Sequence, residues 1–100
     1  MRVISKTRLK RFWEVPGHDD AEGPLRAWYS HINNKALSWQ AWGDVKASFA
    51  SASIVGDCIV FNVGGNKYRL VVKIDYAVGL VLIRFVGVRA AYDRIDARTV

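Results

Sequence analysis

The sequence predicts two amphipathic helices covering one face of an antiparallel β-meander, and three observations predict it. Apolar, β-branched runs occupy residues 59–63, 68–74 and 80–86. Short turns separate them: Gly64, Gly65 and Asn66 join the first pair, and Ala77, Val78 and Gly79 help turn the second into the third. A parallel crossover needs about a dozen residues or more, so such connections favour antiparallel neighbours. Upstream, apolar residues recur at helical spacing in two stretches divided by Val15, Pro16 and Gly17.

The chain has 100 residues, enough for one domain, 1–100, with one modest core. Hydrophobic residues make up 51%, which argues against disorder. Every apolar run is far shorter than the ~20 residues of a membrane span, and the first ten residues lack the apolar stretch of a signal peptide. Cys58 is the single cysteine, so no intrachain disulfide forms. A reducing cytoplasm fits that count. The formal charge is +6, from 15 Lys and Arg against 9 Asp and Glu, and it favours a polyanionic partner.

Taken in order, Val3 and Ile4 suit a short first strand at a sheet edge over residues 2–5. Ser5 is a candidate N-cap for a helix over 6–14, with Leu9, Phe12 and Trp13 on its apolar side. Lys6, Arg8, Lys10 and Arg11 cover the rest, either as a solvated face or as a basic patch for an RNA backbone or an acidic surface. The second helix starts either at an Asp19 cap, with Glu22 at capping-box spacing, or with Pro24 at its first position. Leu25, Trp28, Tyr29 and Ile32 form its stripe, and Asn33–Asn34 ends it. His18 and His31 show no metal-ligand spacing, so no metal site is expected. Trp39, Trp42, Val45 and Phe49 suit a short helix capped by Ser38. The two Trp read as core anchors rather than a base-stacking platform.

The meander carries the chemistry. On its second strand Tyr68, Leu70, Val72 and Ile74 point to one face, and Lys67, Arg69, Val71 and Lys73 to the other. On the third, Leu82, Arg84 and Val86 lie opposite Val81, Ile83 and Phe85. If the register aligns Arg84 with Arg69, two guanidiniums converge with Lys67 on one surface. Their mutual repulsion makes sense when a phosphate enters; otherwise this is a solvent face with scattered charges.

The segments VFNVGGNKYRLVVKIDY and LVLIRFVGVRAAYDRID resemble the HigB-type toxins, part of the wider RelE-like group of ribosome-dependent mRNA interferases from bacterial type II toxin–antitoxin systems. The block at residues 61–70 (FN-x-GGNKYRL) and the block at 83–96 (IRFVG…AxYDxID) are specific together. The basic first helix, the tryptophan-containing second helix and the W…DVK…F…AS stretch at 42–53 extend the likeness over nearly the whole chain. The resemblance implies a compact α+β fold, with an N-terminal helical pair packed on a mainly antiparallel twisted sheet.

It also implies cleavage of mRNA in the ribosomal A site. There the RNA's own 2′-hydroxyl attacks the adjacent phosphate, in a reaction that needs no metal and no cofactor. On this chain the resemblance assigns the scissile phosphate to Arg69, shared by Arg84, and stacking or proton transfer to Tyr92, with Asp93 orienting the motif. Lys67 lies in the matching basic block as an RNA contact. Asn62 and Lys73, and Lys6, Lys10 and Arg11 of the first helix, complete the expected RNA surface. The family's THxEYD-like run reads VRAAYD here, so Arg89 stands in the histidine place and Ala91 in the acidic one. A histidine near pKa ~6.5 exchanges protons at neutral pH, whereas arginine stabilises charge and is a poor acid or base. Either Arg89 acts electrostatically and Tyr92 handles a proton, or the protein is slow or silent and serves as an RNA-binding or antitoxin-binding protein. A ribosome-independent ribonuclease is a further alternative. The implied partner is a HigA-type helix-turn-helix antitoxin, with operator DNA reached only through that complex.

Overall fold

The computed structural model describes residues 1–100. In chain order it runs β1 (Arg2–Ile4), α1 (Lys6–Trp13), a 3₁₀ turn (Asp19–Ala21), α2 (Glu22–Ile32) and α3 (Trp42–Ser48), then β2 (Ser53–Val55), β3 (Cys58–Val63), β4 (Tyr68–Asp75), β5 (Leu80–Val88) and α4 (Arg89–Tyr92). The result is an α+β structure around one five-stranded mixed sheet of order β1-β5-β4-β3-β2. β2 to β5 pair antiparallel in sequence, while β1 runs parallel to β5, with Val3 opposite Val81.

The β3–β4 turn explains its own composition. Gly64, Gly65 and Asn66 all have positive φ (64°, 63° and 76°), a region open to Gly and tolerated by Asn. Gly64 is further constrained, since a Cβ there would stand 2.9 Å from the Tyr68 ring.

The helices bury one face of the sheet. Leu9, Trp13, Leu25, Trp28 and Ile32 share a core cluster with Phe61, Tyr68, Leu70, Val72, Val81 and Ile83. Each such fully buried side chain contributes roughly 1.5–3 kcal/mol of transfer free energy. The opposite face holds a smaller cluster of Cys58, Val60, Val71 and Ala97, flanked by Phe85, Tyr92 and Val100. The chain after β5 therefore folds back over the sheet face that the main helices leave uncovered.

A β-bulge divides β5. Val71 pairs with Phe85 and Val72 with Ile83, so Arg84 has no partner on β4. One extra residue inverts the side-chain alternation beyond it. Val86 then joins the helix-face core, while Phe85 joins the opposite cluster. This corrects the expected face of Leu82, Arg84 and Val86, because strict alternation holds only in an unbulged strand. Arg8 braces the bulge: its Nη1 donates to the Ile83 carbonyl at 2.7 Å and its Nη2 to that of Arg84 at 3.0 Å. β1 covers β5 only at residues 80–82, and Arg8 occupies the edge beyond.

Local starts differ from the sequence expectations. Ser5 precedes α1 in a left-handed conformation (φ 79°) and makes no side-chain cap. Neither predicted start of α2 is adopted. Asp19 opens the 3₁₀ turn, and Pro24 is the third residue of α2, where helical N–H groups still lack carbonyl partners. Trp39 lies before α3 yet is buried, with its Nε1 near Ser48 Oγ at 3.4 Å. No helix is long and apolar enough to cross a membrane.

Candidate functional site

Arg69 is the one charged side chain in the buried class, 8% exposed. It lies mid-sheet on the face away from the main helices, between Asn62 on β3 and Gly87 on β5. A buried cation ordinarily requires a counter-charge. Arg69 has none: the two salt bridges of the molecule are Arg26–Glu22 and Lys67–Asp20. Its Nη1 donates to two main-chain carbonyls, Asn66 at 2.9 Å and Tyr68 at 3.2 Å. Trp28 Nε1 is the single enclosed side-chain nitrogen or oxygen without a partner, so the remaining Arg69 nitrogens reach solvent. The β3–β4 turn thus orients a guanidinium that keeps donors and a full charge for an incoming anion.

An aromatic pair lies beside it. Phe85 sits across Gly87, and a Cβ on Gly87 would meet Phe85 Cζ at 2.6 Å. The half-buried Tyr92 ring is 6.5 Å from that of Phe85. α4 is anchored at its start, where the Arg89 N–H donates to the Lys67 carbonyl at 3.2 Å. That bond ties exposed Arg89 to the turn that holds Arg69. The Asp93 N–H closes α4 on the Arg89 carbonyl at 3.0 Å, and its carboxylate is exposed. Phe85 and Gly87 were not among the sequence candidates. A glycine inside a strand does signal close approach of another group, but the bulge that turns Phe85 toward it leaves no sequence mark.

The other candidates scatter. Arg84 does not converge with Arg69: it sits in the bulge, three residues along β5 from Gly87, and its Nε donates to the Val100 carbonyl at 3.0 Å. It shares a groove of about 520 Å³ with Lys73, Leu82 and Asp75. Lys67 also leaves the Arg69 face, because as a turn residue it pairs with Asp20 at 2.5 Å. The buried Tyr68 hydroxyl donates to the same carboxylate. These bonds from Lys67 and Tyr68 hold the Asp20 carboxyl below its usual range, and the Asp20 carboxylate raises both Lys67 and Tyr68. Lys6 lies 4.7 Å from the centre of the Tyr29 ring, and Lys10 and Arg11 are exposed on α1. α1 packs on the helix face, so these three cations are not brought beside Arg69. The largest cavity, about 720 Å³ between β1, Tyr29 and Trp39, contains none of the candidates. None of the cavities is lined by Arg69, Arg89 or Tyr92.

The family model described as HigB_toxin, RelE-like toxic component of a toxin-antitoxin system, matches residues 21–95. The chain belongs to this family. The HigB match takes in α2, the β2–β5 ladder and α4, and with them Asn62, Lys67, Arg69, Lys73, Arg84, Arg89, Tyr92 and Asp93. β1 and α1, with Lys6, Lys10 and Arg11, lie outside it. No curated protein matches the chain. HigB membership makes this protein the toxic member of a toxin–antitoxin pair, so an antitoxin partner follows.

Proposed function

We propose that this toxin is an endoribonuclease that cuts mRNA on the translating ribosome. The observation that carries the reading is Arg69, a buried guanidinium with no carboxylate and with donors left over. Such a group binds a phosphodiester and gains strength as negative charge builds on phosphorus. The 2′-hydroxyl of the RNA attacks the adjacent phosphorus, the P–O5′ bond breaks, and a 2′,3′-cyclic phosphate and a 5′-hydroxyl result. The 2′-hydroxyl proton leaves during attack, and a proton reaches the departing 5′-oxygen. The chemistry is carried by the RNA's own nucleophile and uses no metal. Arg69 stabilises the phosphorane, Arg89 adds positive charge from α4, and Tyr92 Oη handles a proton.

The ribosome contributes by holding the A-site codon in the geometry that in-line attack requires. The partner is a HigA-type helix-turn-helix antitoxin, which carries operator recognition for the complex, and the compartment is the cytoplasm. Regulated expression in a bacterial host tests the reading. Growth arrest with new 5′ ends at A-site codons is expected, and naked RNA should stay intact in the presence of purified toxin. Arrest without mRNA cleavage would overturn it.

A specific observation favours a second reading, that of a weak or silent RNA binder. Neither histidine accompanies Arg69: His18 stacks on Phe12 at 4.3 Å, and His31 packs edge-on to Phe49 at 5.3 Å, among residues of the helix-face core. Under that reading the toxin binds RNA but leaves mRNA intact on programmed ribosomes.

A further inference from the structure

The bulge separates the two strand arginines, and the separation has a chemical use. Arg69 is held by the carbonyls of Asn66 and Tyr68, at the turn end of β4. Lys73 lies four residues further along the same strand, roughly 13 Å at ~3.3 Å per residue, and on the same face, because the extra residue of the bulge is on β5 and β4 keeps its alternation. Its cross-strand partner is Leu82, and Arg84 stands just beyond in the bulge. Lys73 and Arg84 line one open groove and take no part in a salt bridge. Asp75, the acidic group in that groove, is committed to its own turn, accepting from the Ala77 and Val78 N–H groups at 3.1 and 3.3 Å. Arg84 is fixed through Nε by the Val100 carbonyl, and its two terminal nitrogens make no protein hydrogen bond.

Between these cationic ends lies the half-exposed Phe85, backed by Tyr92. Cation, aromatic ring, cation along one face is the layout that engages single-stranded RNA, with phosphates at the ends and a base between them. We propose that Lys73 and Arg84 form a second phosphate subsite, which grips a different linkage of the RNA strand from the one at Arg69. This rests on the reading of Arg69 as a phosphate site for RNA. It makes Arg84 a positioning residue for the substrate strand, since the bulge takes it away from the reacting phosphate. A free phosphate ion has no second linkage to offer, so it should bind either end weakly and without preference.

The test is equilibrium binding of a fluorescent single-stranded hexaribonucleotide to the intact toxin, separately from cleavage on ribosomes. A neutral methylphosphonate replaces one linkage at a time. For the parent, two separated positions should each weaken binding. In Lys73→Ala and Arg84→Ala one of these effects should vanish while the other persists. In Arg69→Ala, checked for folding by circular dichroism, the pattern should reverse. Each removed cation should also lower the salt slope of log K by about one. A single sensitive linkage in the parent, or loss of the same linkage effect in all three variants, would overturn the subsite. So would failure of the RNA to bind more tightly than inorganic phosphate competes. Cleavage on programmed ribosomes judges the nuclease reading independently: two sensitive linkages without cleavage would keep the subsite and discard the nuclease.

Discussion

Gly87 lies beneath Phe85, so close that a single added methyl carbon would fall 2.6 Å from the ring's Cζ. Gly87→Ala must therefore push Phe85 away. The backbone there is not left-handed, so the penalty comes from overpacking, about 1–3 kcal/mol. A domain of this size loses ~4–8 °C in Tm per kcal/mol. Thermal unfolding by circular dichroism should show the loss, and adding Phe85→Leu should restore part of it. A Tm equal to the parent's for Gly87→Ala alone would mean that the ring yields freely.

Arg69→Ala should reduce single-turnover cleavage on programmed ribosomes by ~10²–10³, the usual effect of losing a charge-stabilising donor. Arg69→Lys should recover little, because an ammonium cannot bond two turn carbonyls and still present a planar fork to a phosphate. Circular dichroism serves as the fold check. If Arg69→Lys cleaves like the parent, charge alone suffices and the guanidinium geometry is irrelevant.

Arg89→His should give the cleavage rate a dependence on pH near ~6.5 that the parent lacks, since imidazole titrates there and guanidinium does not. Arg89→Ala should fall below the parent at every pH, because alanine brings no positive charge to the phosphorane. Single-turnover rates against pH for all three proteins decide it, with controls for ribosome integrity. Parent-like rates in Arg89→Ala at every pH would place Arg89 outside the reaction.

The Asp20 cluster predicts the acid limb of stability. The Asp20 carboxyl is lowered by its bonds to Lys67 and Tyr68, so its contribution is present above the unfolded value of ~3.9 and fades as pH falls through the lower folded value. Lys67 and Tyr68 are raised, chiefly by Asp20. Their contribution is present below their unfolded values near ~10 and fades as pH rises through the folded ones. Urea midpoints from pH 2 to 11 should bracket a plateau between those limits. Asp20→Asn should lower the plateau and flatten both limbs. An unchanged profile would show that the cluster does not couple to folding.

Much of this was written in local pattern. The three long strands announce themselves through β-branched runs, and the Gly64–Gly65–Asn66 turn through the φ values it needs. Arg69 was legible as a residue on the face away from Tyr68 and Leu70. Its isolation from any carboxylate was not, because partners depend on tertiary distance. Lys67 shows the same limit: its acceptor, Asp20, is 47 positions away. Arg84 defeated alternation because a bulge adds a residue without changing composition. α4 was invisible for a different reason: four residues, Arg-Ala-Ala-Tyr, are too few for a helical period to register.

The parallel pairing of β1 with β5 also carries a schedule. Arg2, Val3 and Ile4 find their partners at Leu80, Val81 and Leu82. A nascent chain emerges N-terminus first at about 5–20 residues per second, so β1 waits roughly 4–16 s for its neighbour to be made. Gly87, the β5 partner of Arg69, and the whole of α4 come later still. The surroundings of Arg69 therefore cannot assemble until β5 and α4 have both been made, however early the helices fold.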